Sequence, residues 1–288
     1  MPVNKKTFPY LLLLPSLLLI LLVGIYPLMY LIQNSLFSFT LIRQAEKVFV
    51  GLANYRDLLI SQQFWSSLLI TVIYVVSSTF ITFVLGLGIA LLLNQGTPLT
   101  RVFRSIFLMP MVATPVIVAL TWRHIWDFRF GIMNLFLSKV GIKPLLWLAD
   151  TKLALLSIII TDVWQWTPFV ILVIEAGLVA IPEYLYEAAV VDGCNFWKRF
   201  WYMTVPHLRP VIGLTLAIRV MDLFRNADLV YVITSGGPGT STEVLAFSVF
   251  KKAFVIFQIG DAAATAIILV ILTTFIVSSL IKRWDIEF

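Results

Sequence analysis

Four long uncharged runs restrict the fold of this chain more than any other feature. They begin at Pro9, Phe64, Ser105 and Ala262, and each continues for about 18 residues or more, close to the length of a helix that crosses a hydrocarbon core. A backbone segment in lipid has to satisfy its own N–H and C=O groups, so uncharged runs of this length form helices. The mean hydropathy of +0.97 agrees with an integral membrane protein.

Two further runs have helical length but contain charged residues, which are Asp162 and Glu175 in one and Arg219, Asp222, Arg225 and Asp228 in the other. We therefore predict an all-α, polytopic membrane protein, a single transmembrane domain over 1–288, with six transmembrane helices and one long loop, 182–208. The predicted spans are 9–33, 64–94, 105–125, 153–181, 209–233 and 261–281.

The orientation of the chain rests on short basic segments. An even number of spans places both termini on the same side of the membrane. The totals of basic residues on the two sides are nearly equal, but the segment 95–102 and the C-terminal segment are short and basic, and charge close to helix ends favours the cytoplasmic side. We predict cytoplasmic termini, and we expect the first span, which is too long for a signal peptide, to stay as an anchor.

Several functions are not expected of this chain. The net charge of +6 comes from basic residues scattered among the spans, which indicates contact with a membrane surface rather than with nucleic acid. The single cysteine, Cys194, leaves no internal disulfide, and His124 and His207 are too far apart in the sequence for a shared metal site. No phosphate-binding segment of the form Gly-x-x-x-x-Gly-Lys-Ser/Thr is present, so we expect no catalysis and no cofactor in this chain.

The loop 182–208 contains residues that typically start and end helices, and they predict two short helices. Pro182 can open the first helix, over 184–191, and Gly193 can end it in a left-handed conformation. Asn195 is a suitable cap for a second helix, over 196–203, and Pro206 is expected to end that helix.

The residue types in this loop permit two interpretations. In one, a partner protein approaches the small Ala188 and Ala189 and pairs with the charge of Glu187. In the other, the loop is an amphipathic hairpin at the membrane surface. Its aromatic side chains then rest on headgroups and its basic ones face lipid phosphate, the residues being Trp197, Trp201, Tyr202, Lys198 and Arg199.

Polar residues inside the predicted spans are a second candidate site, because ionisable groups at membrane depth are costly unless they are paired or face water. Helical spacing places three of them on one face of the fourth span and three on one face of the fifth: Asp162, Gln165 and Trp166, and Arg219, Asp222 and Asn226. They can form a pocket that binds sugar hydroxyls while Trp166 covers a ring. Alternatively, Asp222 pairs with Arg219 or Arg225 and only stabilises the bundle. Thr114, beside Pro115 in the third span, is a further candidate.

The loop resembles the signature loop of binding-protein-dependent ABC importer permeases. That pattern reads Glu-Ala-Ala, three residues, Gly, nine residues, Ile, one residue, Leu-Pro. Here Met203 and Val205 replace the isoleucine and leucine, Cys194 replaces a common alanine, and the matching positions are Glu187, Ala188, Ala189, Gly193 and Pro206. Segments 49–55, 104–115 and 228–243 resemble parts of the maltose-type carbohydrate permeases in the same order.

The resemblance implies a sugar-transport subunit. The loop would be the coupling helix that docks on an ATP-binding subunit, through Glu187, Ala188, Ala189, Asp192, Gly193 and Pro206. The substrate pathway would include Asp162, Gln165, Trp166, Arg219, Asp222, Asn226 and Thr114. The implied partners are two copies of an ATP-binding subunit, which would hold ATP and magnesium, a second related permease, an external solute-binding protein, a carbohydrate and membrane lipid. The implied location is the prokaryotic cytoplasmic (inner) membrane.

Three alternatives stay open at this point. An importer permease of this kind could carry an anionic or amino-acid-like solute, since two arginines on the fifth span could bind an anion. A self-contained secondary transporter would need internal symmetry or discontinuous helices paired between the two halves of the chain, and the sequence indicates neither. A membrane scaffold would use the loop for docking and the buried charges only for structure. The sequence does not name the sugar.

Overall fold

The computed structural model describes residues 8–40, 47–94 and 100–284, and it describes side chains over 12–40, 47–94 and 105–284. Both termini and most of the basic segment 95–102, on which the predicted orientation depends, lie outside these ranges. The described residues are mainly helical, with one small β-hairpin, which confirms the all-α prediction.

The helices follow one another along the chain with short connections. π-helical segments Ile20–Ile25 and Phe200–Thr204 join α1 to α2 and α10 to α11, and a third, Lys251–Val255, follows α13. Strands β1 (Phe37–Ser38) and β2 (Val48–Phe49) pair antiparallel. The α-helices are α1 Phe8–Leu19, α2 Tyr26–Ser35, α3 Ala53–Ile60, α4 Gln62–Leu93, α5 Thr100–Val112, α6 Pro115–Ile125, α7 Ile132–Lys139, α8 Thr151–Val179, α9 Glu183–Val191, α10 Phe196–Arg199, α11 Val205–Arg225, α12 Asp228–Ile233, α13 Leu245–Phe250 and α14 Ile259–Arg283.

Within the described residues, four helices are long and apolar enough to cross a membrane, namely Leu12–Ser35, Gln62–Leu93, Thr151–Val179 and Ile259–Arg283. They correspond to the first, second, fourth and sixth predicted spans. A bent pair, Ser105–Val112 with Pro115–Ile125, makes a fifth if it counts as one span. The structure therefore confirms a multi-pass membrane protein, while the count of six stays a prediction because the remaining helix, α11, carries several charges.

The third predicted span, 105–125, is not a continuous helix. α5 ends at Val112, α6 begins at Pro115, and the two axes differ by 102°. Thr114 is extended, with ψ 144°, because the ring of the following proline excludes the helical conformation at that position. The prediction of one straight helix here is wrong.

The fifth predicted span, 209–233, is also broken. α11 begins earlier, at Val205, and ends at Arg225; Asn226 is extended with ψ 93°, and α12 starts at Asp228. The Asn226 side chain accepts a hydrogen bond from the N–H of Leu229 at 3.4 Å, which satisfies a donor at the start of α12. The chain therefore contains two discontinuous helices, which the sequence did not indicate, although nothing pairs them between two halves of the described chain.

The described residues form two compact units. The first is drawn from the described part of Met1–Phe64 and from Ser248–Val270. In it, the buried Asn54 amide donates to the carbonyls of Ser35 at 2.7 Å and Phe37 at 3.0 Å, and the Tyr55 hydroxyl bonds Ser35 Oγ at 2.6 Å. These bonds hold the end of α2 and strand β1 on α3. The single-domain organisation over 1–288 stays a prediction.

The second unit, Trp65–Phe247 with Ile271–Phe288, contains both candidate sites. Its core joins α4, α8 and α11 through buried aliphatic residues such as Ala90, Ile171 and Leu208. A Cβ at Gly86 would lie 2.5 Å from Val170 Cγ1, so α4 approaches α8 more closely there than any side chain permits. This close packing fixes the face of α8 that carries Asp162.

The start of α8 is fixed by Asp150. Its carboxylate accepts hydrogen bonds from the N–H groups of Leu153 at 3.0 Å and Lys152 at 2.9 Å and caps the helix. Both bonds stabilise the charged carboxylate and hold the pKa of Asp150 below its ordinary value. The bond from Leu153 is the larger cause and the bond from Lys152 the smaller. The helix that bears the polar residues therefore begins at a defined position.

Candidate functional site

The charged residues predicted on two different spans meet inside the second unit. Arg219 of α11 donates from Nη2 to Asp162 Oδ2 of α8 at 2.6 Å and from Nη1 to Asp222 Oδ2 at 3.4 Å. The side chains of Arg219 and Asp162 are 1% and 0% exposed, whereas that of Asp222 is 29% exposed. One of the pairings considered from sequence, Asp222 with Arg219, is present, but the shorter bond runs between helices.

The ion pair is only one part of a buried polar cluster. The guanidinium carbon of Arg219 lies 5.3 Å from the centre of the Trp166 ring, within the range of a cation–π contact. Asp162 is hydrogen-bonded to the Tyr74 hydroxyl as well as to Arg219. Among the described residues, Arg219 Nε and Gln165 Oε1 are buried without a hydrogen-bond partner. Buried polar atoms in that state raise the free energy of the fold unless a further group satisfies them.

Two other predicted residues, Gln165 and Asn226, form hydrogen bonds at the interruptions between helices. Gln165 Nε2 donates to the carbonyl of Ala113 at 3.3 Å, a group that the interruption between α5 and α6 leaves without its helical partner. Asn226 Nδ2 donates to the hydroxyl of the fully buried Tyr74 of α4 at 3.2 Å. The two interruptions therefore connect to the same cluster.

A cleft, here called the polar cleft, opens beside the cluster, and its walls carry four charged side chains among aromatic and aliphatic ones. It consists of two adjoining cavities of about 220 and 310 Å³, whose walls share Trp166, Asp222 and Arg225. Of the residues predicted for the substrate pathway, Trp166, Arg219, Asp222 and Asn226 line this cleft. Asp162 and Gln165 are buried behind it, and Thr114 is exposed at the helix break beside Pro115, which itself lines the cleft.

Four residues of this region were not among those predicted for the substrate pathway, although Arg225 was considered as a partner of Asp222 and as a binder of an anion. Tyr74 lies beside Asp162 and bonds Asn226, but a lone tyrosine in a 32-residue apolar helix gives no signal. Asp228 lines the cleft beyond the point where the chain leaves its helical path at Asn226, so helical spacing along α11 does not place it there, whereas Arg225 is the last residue of α11, about one turn after Asp222. The position of Pro115, directly after the predicted Thr114, was a usable signal.

The loop 182–208 forms the first predicted helix as expected. α9 covers Glu183–Val191, and Gly193 follows with φ +71°. The N–H of Cys194 bonds the carbonyl of Ala189 at 2.9 Å and the N–H of Gly193 bonds that of Val190 at 3.0 Å, the two bonds of a Schellman motif. Within the described residues no heavy atom lies within 4 Å of a Cβ built on Gly193, so backbone conformation alone requires glycine.

The second helix of the loop begins as predicted and ends differently. Asn195 Oδ1 accepts from the N–H of Lys198 at 2.9 Å and caps α10. The chain then continues through the π-helical turn into α11. Pro206 lies in the first turn of α11, where a proline needs no N–H partner, so the prediction that it ends a helix is wrong.

The loop has one face turned to its own unit and one turned away. Ala189 is buried, and the Tyr186 hydroxyl bonds Thr204 Oγ1 at 3.0 Å, which ties α9 to the turn before α11. Glu187, Ala188, Asp192 and Gly193 are exposed. Of the predicted coupling residues, these four and the exposed Pro206 can contact a partner, whereas Ala189 supports the helix from below.

A protein-family model matches the chain over more than two thirds of its length. The family described as "Binding-protein-dependent transport system inner membrane component" matches residues 82–284, a range that contains the cleft and the loop.

Curated relatives extend the similarity to nearly the whole chain. The trehalose/maltose transport system permease protein MalF of Thermococcus litoralis is 38% identical over 282 residues, which cover 96% of this chain and 93% of that protein. The sulfoquinovosyl glycerol transport system permease protein SmoG of Agrobacterium fabrum is 32% identical, with 92% and 86% covered.

Among solved structures, the fold is similar to a chain of a bacterial ABC transporter that imports the acidic polysaccharide alginate. The TM-score is 0.85, the identity is 22%, and the match covers 98% of this chain and 96% of that one. The similarity shows a shared fold, including the arrangement of helices that surrounds the cleft.

Proposed function

This chain belongs to the family of binding-protein-dependent transport system inner membrane components, and from that membership we propose that its polar cleft conducts a sugar across the membrane. It is a permease subunit of a carbohydrate ABC importer, not an enzyme. The sugar reaches it on an external binding protein, and ATP hydrolysis in separate subunits drives the transport.

The composition of the cleft carries the proposal. An indole ring, Trp166, lies beside charged groups whose formal charges balance, since Asp222 and Asp228 offset Arg219 and Arg225. Sugars present apolar ring faces and many hydroxyl groups, and such a wall offers a stacking surface together with hydrogen-bond donors and acceptors. The names of two relatives, which transport trehalose, maltose or a sugar derivative, support the same substrate class.

An anionic substrate is less well supported by the geometry. Binding an anion on the fifth span would require an arginine whose donors are available. Arg219 already contacts Asp162 and Asp222 at 2.6 and 3.4 Å. The other arginine of the cleft, Arg225, shares its wall with the carboxylates of Asp222 and Asp228, which repel an anion. A neutral sugar avoids competing with these carboxylates.

The exposed face of the loop provides the connection to ATP. Glu187, Ala188, Asp192 and Gly193 dock on an ATP-binding subunit, which holds ATP and magnesium, while the buried Ala189 supports α9 from behind and the exposed Pro206 lies in the first turn of α11 beside the loop. Two copies of that subunit and a second related permease complete the assembly. A movement of the loop is transmitted to the cleft through α11, because the π-helical segment Phe200–Thr204 joins α10 directly to that helix.

The orientation follows from this docking. The loop 182–208 lies in the cytoplasm of a prokaryotic cell, both termini lie on the same side, and the external binding protein contacts the opposite face of the inner membrane. Alternating access of the cleft to the two sides then delivers the sugar inward.

Replacing Trp166 with alanine tests the cleft. Loss of the stacking surface is expected to raise the sugar concentration for half-maximal uptake by about tenfold. The measurement is uptake of labelled maltose and trehalose by liposomes that contain the complete copurified complex, loaded binding protein and ATP. Trp164→Ala is the matched control, because Trp164 is two residues away on α8, 45% exposed, and packs on Trp122 rather than lining the cleft.

Equal effects of the two tryptophan variants would contradict a substrate role for the cleft. Uptake of charged oligosaccharides such as alginate fragments, with no uptake of neutral disaccharides, would show that the substrate is an acidic sugar rather than a neutral one. Unchanged uptake by Trp166→Ala would show that the cleft does not bind the substrate through this ring, and its charged residues would then serve only the structure.

A further inference from the structure

An apolar groove lies between the last turns of α4 and the loop 182–208, apart from the polar cleft. Its volume is about 690 Å³. Most of its wall comes from one face of α4, with Leu178 at the end of α8, and the α4 residues include Val84, Leu85, Gly88, Leu91 and Leu92. The loop closes the other side with Tyr186, Phe196, Arg199, Phe200 and Thr204.

One cation belongs to the wall of this groove. Arg199 is half-buried, and its Nε is a buried donor without a hydrogen-bond partner in the described part of the chain. A buried guanidinium donor without an acceptor is costly, so the groove favours an occupant that brings an anionic oxygen to this position. The rest of the wall favours an occupant that is apolar along α4.

The flanking residues of the loop have the character of a membrane boundary. Trp197 and Trp201, one helical turn apart on either side of Arg199, are 65% and 59% exposed, and Tyr202 is 80% exposed. Amphipathic aromatic side chains collect at the level of lipid headgroups, and basic residues at that level attract anionic lipids. The groove therefore extends from this boundary along a helix that crosses the hydrocarbon region.

We propose that this groove binds an anionic phospholipid, with its phosphate on Arg199 and an acyl chain along α4 between Val84 and Leu92. The charge complementarity at Arg199 and the apolar wall select a molecule that is acidic at one end and apolar at the other. The site requires only that the loop 182–208 lie at a membrane surface, and it does not depend on the transported solute. Bound lipid would hold the coupling loop against the end of α4.

Two substitutions test the two ends of the site separately. Arg199→Gln removes the phosphate contact and is expected to weaken binding of phosphatidylglycerol about tenfold. Gly88→Leu fills the groove, since no heavy atom of the described chain lies within 4 Å of a Cβ at Gly88, and is expected to displace the acyl chain with a similar loss. The matched controls are Lys198→Gln, an exposed charge on the same loop, and Gly24→Leu, an equally open position elsewhere.

The measurement uses the complete copurified complex, depleted of lipid in detergent and titrated with phosphatidylglycerol or phosphatidylcholine, with bound lipid counted by native mass spectrometry. Retention of phosphatidylglycerol by the wild type and both controls, with loss in Arg199→Gln and Gly88→Leu, supports the site. Equal loss of phosphatidylglycerol in Arg199→Gln and Lys198→Gln would show that the lipid responds only to diffuse surface charge, and this result would overturn the proposed site.

Other occupants give different results. If inorganic phosphate displaces the lipid from the wild type while Gly88→Leu binds lipid normally, the groove is not a lipid site. If a cysteine introduced at Gly88 cross-links efficiently to a partner subunit in the membrane, a protein fills the groove and the proposal fails. Normal sugar uptake in all four variants would leave the transport assignment intact whichever result is obtained.

Discussion

Arg219→Met is expected to destabilise this protein by about 3–5 kcal/mol, because it leaves the buried carboxylate of Asp162 without its cation. The Asp162 side chain is 0% exposed and its bond to Arg219 is 2.6 Å long. Asp222, 3.4 Å from the same guanidinium, would lose this partner as well, but it is partly exposed and Arg225 remains nearby. The measurement is the free energy of unfolding in mixed detergent micelles, followed by circular dichroism.

Two further variants separate the ion pair from general damage. Arg225→Met removes an exposed cation from the same helix, and its effect is expected to stay within about 0.5 kcal/mol. The double variant Asp162→Leu with Arg219→Met is expected to recover most of the lost stability, since apolar residues can replace a buried ion pair at little cost. A double variant as unstable as Arg219→Met alone would contradict the argument.

Gly193→Val is expected to reduce sugar uptake and stimulated ATP hydrolysis by about tenfold or more, while the membrane helices stay folded. The φ of +71° at Gly193 costs a β-branched residue about 1–2 kcal/mol, so the end of α9 shifts and the exposed docking face changes with it. Uptake and ATP hydrolysis by the reconstituted complex measure the effect, and thermal unfolding in detergent checks the fold.

Asparagine at the same position supplies the matched control. Gly193→Asn adds a side chain of similar reach, but asparagine tolerates the left-handed conformation, and within the described chain the space around a Cβ at this position is open. Near-normal activity of the asparagine variant with loss in the valine variant would identify backbone conformation as the cause. Full coupling in Gly193→Val would refute a mechanical role for this turn.

The structure also shows which features could be read from the sequence. Local signals were sufficient for the long apolar helices, for the left-handed Gly193 and for the cap at Asn195, because each depends on residues within one or two turns. Pro206 was misread because a proline can end one helix or occupy the first turn of the next, and only the π-helical continuation distinguishes the two.

Features that depend on tertiary contacts could not be predicted in detail. The Asp162–Arg219 pair joins residues 57 positions apart, and nothing in either helix alone selects that partner. The break at Asn226 depends on its bonds to Leu229 and to Tyr74 of another helix. Once the break is present, Asp228 reaches the cleft, which periodicity over an unbroken helix could not indicate.

Copurification tests the central claim most directly. The protein, extracted in mild detergent from the cell that makes it, is expected to bring with it an ATP-binding subunit and a second permease, and the assembly is expected to hydrolyse ATP several-fold faster when a sugar-loaded binding protein is added. Glu187→Ala should lower that stimulation and leave the assembly of the membrane subunits unchanged. A stable solitary protein that moves sugar without ATP hydrolysis would contradict the assignment and indicate a secondary transporter.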